Sequence, residues 1–241
     1  MDPETYQLLF GAFNKQIKFK LLNTYRGVPV TNMGSLLEFH ANQVTVNTRP
    51  FQLVTARIQR ATYLIIDDRV IKGDLITASL NYEKMTLGNL EICNPCIGQR
   101  KYIRAEPEDP IKAQITSPRF AASVHNVPRW FNSSMANLSI HGATILFHKL
   151  LVKQMPVYVS DPISLRFELL DPATGEISQL ELNAIIRNIT PFDDKMIRIG
   201  LETFPYSNVE NFLSRCVAQT QKIIIQELKD RVEREKPLAI S

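Results

Sequence analysis

Arg100 and Arg104 stand four residues apart, with Gln99 just before them and Pro107 and Pro110 just after. A guanidinium is a planar fork of five donors. It matches phosphate oxygens and guanine edges, and it stacks on purine faces. Further along, Asn137, Ser139 and Gly142 fall at i, i+2 and i+5. The amide and hydroxyl supply donors and acceptors for a base edge, and the glycine lets a bulky ligand approach the backbone. Taken together, these residue types describe a site for an anionic ligand that carries guanine. Arg187 and His141 are further candidates, the first as a barrel-wall side chain and the second for stacking on a base or bonding a phosphate. The plain alternatives are surface ion pairs with Glu106, Glu108 and Asp109 for the arginines, and local turn bonds for Asn137 and Ser139.

Other chemistry is poorly represented. The sequence holds no GxSxG, Walker loop, HExxH or dinucleotide fingerprint, so an enzyme is not indicated. Cys93 and Cys96 form a CxxC, but no second CxxC and no paired histidines follow at finger spacing. They read as packing cysteines around a turn, and no metal is expected. His40, His125 and His148 are scattered without a carboxylate at a suggestive spacing.

Composition narrows the class further. The chain has 241 residues, 44% hydrophobic and 22% charged, which is ordinary for one large or two small domains. A net charge of +4 is too mild to argue for nucleic acid. No apolar run reaches the ~18 residues of a membrane span. The first residues carry neither a basic region nor an apolar core, and three cysteines cannot build a disulfide framework. The expectation is a cytoplasmic protein.

The elements that must position the candidate residues read mostly as strands. Tyr6, Leu9, Phe10 and Phe13 predict a short helix over 3–15. From Gln16 the period changes to two. Strands are predicted at Ser35 to His40, Gln43 to Thr48, Thr62 to Ile66, Leu75 to Tyr82 and Met85 to Ile92, with little helix among them. A boundary falls at Pro95 to Gly98. Seven strands then follow, at Ile111 to Thr116, Phe120 to Val124, Ala136 to Ile140, Thr144 to His148, Ser164 to Leu169, Gln179 to Ile186 and Met196 to Phe204. Val127 to Asn132 reads as a loop, and Asp171 to Gly175 as a hairpin turn. Ser207 and Glu210 read as a capping box that opens a last helix. The predicted fold is all-β: two small antiparallel β-barrel domains, at 1–96 and 97–206, with a C-terminal α-helix over 207–236. The distal part of that helix, Ile223 to Val232, carries an apolar stripe longer than one barrel covers. It is expected either to pack on the N-terminal domain or to form a homodimer contact, with the dimer favoured.

RxxxR followed by (D/N)xSxxG resembles the PilZ domain, a β-barrel receptor for the bacterial messenger cyclic di-GMP. Arg100 and Arg104 match the arginine pair. Asn137, Ser139 and Gly142 match the second motif, and Ile199 to Phe204 is similar to the domain's closing strand. The strand layout of 16–92 is similar to the split barrel that precedes the PilZ domain in flagellar-brake proteins. The chain departs from the family at Gln99, where an arginine is common, and at His141, where glycine is common. The resemblance implies a cytoplasmic cyclic di-GMP sensor that changes its interdomain arrangement to control a protein partner of the motility, secretion or polysaccharide machinery. Without an arginine at Gln99, one ligand per chain is expected. Two other readings stand beside it: a docking module whose barrel is a scaffold, and a ligand-controlled DNA-binding regulator, against which the modest charge argues.

Overall fold

The computed structural model describes residues 1–40, 42–93, 103–118 and 129–235. Gln99, Arg100 and Cys96 therefore lie outside the described residues, as does the strand expected at Phe120 to Val124. The chain divides into two compact units: Met1–Lys101 with Ile224–Ser241, and Tyr102–Ile223.

The first unit is a closed six-stranded antiparallel barrel. Its strands are β1 (Phe19–Tyr25), β2 (Val28–His40), β3 (Gln43–Asn47), β4 (Ala61–Ile66), β5 (Arg69–Ser79) and β6 (Lys84–Ile92), joined in the order β1-β2-β3-β6-β5-β4. Alternation puts Leu21, Val44, Val46, Leu64, Ile71 and Leu87 inside. Helix α1 (Pro3–Asn14) adds Leu9 to that core. It starts at Asp2 because the carboxylate accepts from Thr5 N at 2.9 Å, which satisfies a backbone donor that the helix itself leaves open.

Helix α2 (Pro50–Gln59) corrects the expectation of little helix here. Five successive residues, Gln52 to Ala56, are buried, so no polar face alternates with an apolar stripe, and the periodicity that reveals surface helices is missing. Its buried amides are satisfied. Gln52 Nε2 donates to Asn23 Oδ1, and Asn23 Nδ2 donates to Gln59 Oε1 at 2.7 Å and to the Ala61 carbonyl at 2.6 Å.

The second unit is another closed antiparallel barrel. Its strands are β7 (Ile111–Thr116), β8 (Phe131–Ser139), β9 (Gly142–His148), β10 (Pro162–Leu170), β11 (Ile177–Pro191) and β12 (Met196–Thr203), in the order β10-β11-β12-β9-β8-β7. Six strands close this barrel among the described residues, where seven were expected. Phe131 and Asn132, read as loop, begin β8. One turn of helix, α3 (Lys149–Val152), follows β9. The core holds Ile115, Met135, Ile145, Phe147, Leu165, Leu182, Ile186 and Ile199. The β10–β11 turn closes as its residue types require: Gly175 takes a φ of +75° and donates to the Asp171 carbonyl at 2.8 Å.

Helix α4 (Ser207–Glu235) belongs to both units, dividing at Ile223 and Ile224. Its start differs from a capping box. Glu210 N donates to the Tyr206 carbonyl at 2.8 Å, so Ser207 is already inside the helix, and the Glu210 carboxylate goes to His141 instead. In the second unit Leu213, Cys216 and Val217 are buried, and Arg215 pairs with Asp171 at 3.1 Å. In the first unit Ile224, Leu228 and Val232 are buried. Glu227 there accepts from the Tyr25 hydroxyl at 2.5 Å and pairs with Arg26, and Glu235 pairs with Arg57 at 3.1 Å. Three side chains of the distal stripe are thus covered inside the chain, as in the packing alternative to the favoured dimer, and need no second copy to cover them, whereas Ile223 stays exposed. Among the described residues, no helix is long and apolar enough to cross a membrane.

Candidate ligand-binding site

Arg104 sits on the connector that leads into β7, and a short β-bridge holds that connector to the barrel. Ala105 N donates to the Leu138 carbonyl at 2.9 Å, and Leu138 N donates to the Ala105 carbonyl at 3.0 Å. This bridge sets the arginine beside the β8–β9 hairpin, which carries Asn137, Ser139, His141 and Gly142. The Arg104 Nη1 donates to Thr144 Oγ1 at 3.2 Å. A Cβ built on Gly142 would lie 3.7 Å from Arg104 Nη2. Arg104 and the second motif, remote in sequence, therefore meet at one place.

Strand register explains which side chains share that face. Met135, Leu138, Ala143, Ile145, Ile199 and Leu201 point into the core. The alternate positions form two rows on the outer wall. One row runs Asn137, Thr144, Gly200, Asn188 across β8, β9, β12 and β11. The other runs Ser139, Gly142, Glu202. Gly142 and Gly200 stand in these rows on neighbouring strands and, like Ser139 and Thr144, are buried, Gly200 beneath the Asn188 side chain and Gly142 beside Ser139 and Arg104.

The wall has no room to spare at these glycines. A Cβ on Gly142 would stand 2.9 Å from the Leu201 carbonyl oxygen. One on Gly200 would stand 2.5 Å from Asn188 Oδ1. The hairpin itself is pinned: Ser139 Oγ donates to the Gly142 carbonyl at 3.0 Å, and Thr203 N donates to the His141 carbonyl at 3.2 Å. Asn137 Oδ1 is buried without a hydrogen-bond partner among the described residues. A buried acceptor left unpaired costs about 1–3 kcal/mol.

His141 bonds to Glu210 on α4, Nε2 to Oε1 at 3.0 Å. Arg187 lies at a register slip in β11 and pairs with Glu202, Nε to Oε2 at 2.6 Å. The structure thus gathers Arg104, Asn137, Ser139 and Gly142, adds Arg187 through Glu202, and turns His141 toward α4. Thr144, Asn188, Gly200 and Glu202 share these rows without having been candidates: Gly200 and Glu202 were read only as part of the closing strand, and pairing across strands is what places all four here. No group of three or more His, Cys, Asp or Glu able to hold a metal ion occurs among the described residues. A separate groove of about 920 Å³ runs along β7 and β10 past Gln114 and Arg166, and none of the candidate residues lines it.

Fold and site together define a two-barrel protein in which Arg104 meets a polar, glycine-containing patch on the outer wall of the second barrel. No family model and no curated protein matches the chain. Among solved structures it is similar to K. pneumonia MrkH in complex with c-di-GMP, at 9% identity over 96% of each chain, with a TM-score of 0.40. It is similar to Escherichia coli YcgR in complex with c-di-GMP, at 12% identity over 95% of this chain and 92% of that one, with a TM-score of 0.38. It is also similar to the PilZ domain of Escherichia coli YcgR with c-di-GMP, at 15% identity over 54% of this chain and 98% of that one, with a TM-score of 0.39.

Proposed function

We propose that the chain is a bacterial cyclic di-GMP receptor of the cytoplasm, and a regulator of a protein partner rather than an enzyme. The observation that carries this reading is the meeting of Arg104 with the Asn137/Ser139/Gly142 hairpin on the outer wall of the second barrel. The ligand has two phosphates and two guanines. Arg104, with Arg100 four residues before it in the sequence, bonds phosphate and stacks on purine. Asn137 and Ser139 bond a base edge, and Gly142 and Gly200 let the ring lie close to the strands.

The signal has a material route. His141, inside the motif hairpin, is bonded to Glu210 in the first turn of α4, and the same helix continues into the first unit. A ligand that favours one arrangement of hairpin and connector shifts the population of interdomain arrangements. Its leverage equals its differential affinity for them. A partner in the motility, secretion or polysaccharide machinery would read that shift.

Calorimetric titration of the full chain with cyclic di-GMP tests the reading. Binding with an endpoint near one ligand per chain is expected, and Arg104→Ala should weaken it about tenfold or more, since a charge-assisted bond contributes roughly 1.5–3 kcal/mol. No binding by the parent chain, or equal binding by the variant with an unchanged melting curve, overturns it.

A further inference from the structure

Glu202 faces outward on β12, directly opposite Gly142 on β9. Opposed residues on antiparallel strands share a face, with Cβ positions about 4.5–5.5 Å apart, so Glu202 stands on the outer wall beside Gly142, the residue that Arg104 Nη2 also approaches. The irregularity at Arg187, between Ile186 and Asn188, takes that side chain out of the regular alternation. Its guanidinium meets Glu202 Oε2 through both Nε and Nη2. Both side chains remain accessible, 53% for Arg187 and 42% for Glu202. A cross-strand pair on an exposed wall contributes little stability. Its position beside the glycines gives it a chemical use.

The pair presents a donor-only group beside an acceptor-only group. Guanine offers the complement along one edge: the O6 acceptor, then the N1–H and N2–H₂ donors. Adenine offers the reverse there, an N6–H₂ donor and an N1 acceptor. With the phosphates held by arginine, a base cannot turn over to correct the mismatch. The amide of Asn137 is both donor and acceptor, so it discriminates less. We propose that Glu202, oriented by Arg187, reads the N1–H and N2–H₂ edge of a guanine and selects guanine over adenine. This inference rests on the cyclic di-GMP reading above.

The full chain would be titrated with cyclic di-GMP, with cyclic di-IMP, whose hypoxanthine lacks the N2 amine, and with cyclic di-AMP. The parent is expected to bind the guanine form best and the adenine form least. Glu202→Gln should weaken cyclic di-GMP about tenfold, the loss of one charge-assisted bond. It should weaken cyclic di-IMP less, so the ratio between the two narrows. That ratio is internal to each variant, so a partly unfolded sample does not disturb it. If Glu202→Gln keeps the parent's ratio, the selecting role is refuted while the receptor reading stands. If the parent binds none of the three, both fail.

Discussion

Gly142 and Gly200 sit on neighbouring strands of the same wall, yet alanine should be tolerated very differently at the two. At Gly142 the new methyl would lie 2.9 Å from the Leu201 carbonyl oxygen, part of the β9–β12 ladder. Backbone inside a closed barrel cannot yield without disturbing neighbouring hydrogen bonds. Overpacking of this kind costs about 1–3 kcal/mol. At Gly200 the obstruction is the Asn188 side chain, 2.5–2.9 Å away, which is exposed and can swing into solvent. Alanine also restricts the unfolded chain, which contributes roughly 0.4–1 kcal/mol in its favour at either site. The net expectation is a loss of about 0.5–2.5 kcal/mol for Gly142→Ala and a change near zero for Gly200→Ala. Thermal unfolding of both variants, read on the transition of the second unit, checks this. A loss at Gly200 equal to or larger than that at Gly142 would refute the reasoning, because it would mean that the wall is softer at Leu201 than at Asn188. Titration with cyclic di-GMP adds a second readout. Gly142→Ala also intrudes on the space beside Arg104, so its affinity should fall further than its stability explains.

Leu228→Ala should destabilise the first unit by about 2–5 kcal/mol, since the side chain is buried there, whereas Ile223→Ala, 56% exposed, should change little; equal melting shifts would show that the distal helix is not packed as described. Asp171 has its carboxyl held below the usual carboxylate range by the Ala173 N–H and then by the Arg215 guanidinium. A depressed folded pKa stabilises above the unfolded value and loses that contribution as pH falls through the folded one. The melting difference between the parent and Asp171→Asn should therefore be present at pH 6 and shrink as the pH falls below the ordinary carboxylate value of about 4, and a difference that does not shrink in acid would contradict the pairing. Burial pushes the Cys216 thiol up to about 11, so in the native chain at pH 7.5 it should resist alkylation by iodoacetamide and label on unfolding in urea, as mass spectrometry would show.

Local periodicity and turn chemistry in the sequence determined much of this protein. The helix behind Asp2, the alternating strands of both barrels, the Asp171–Gly175 turn and the last helix are all written in neighbouring residues, because each depends on backbone preference and on which face is apolar. The arginine pair and the Asn/Ser/Gly motif were legible for the same reason: their spacing is local. Helix α2 was not, because its middle is buried on all sides and no polar face marks its period. Nor could spacing say where the distal face of α4 goes; only the folded chain shows Ile224, Leu228 and Val232 buried in the first unit. The decisive case is the outer wall. Thr144, Glu202, Gly200 and Asn188 join Arg104 and Asn137 solely through register across β8, β9, β12 and β11. Register is fixed when the barrel closes around its core, and a slip of one residue would turn every one of these side chains to the other face.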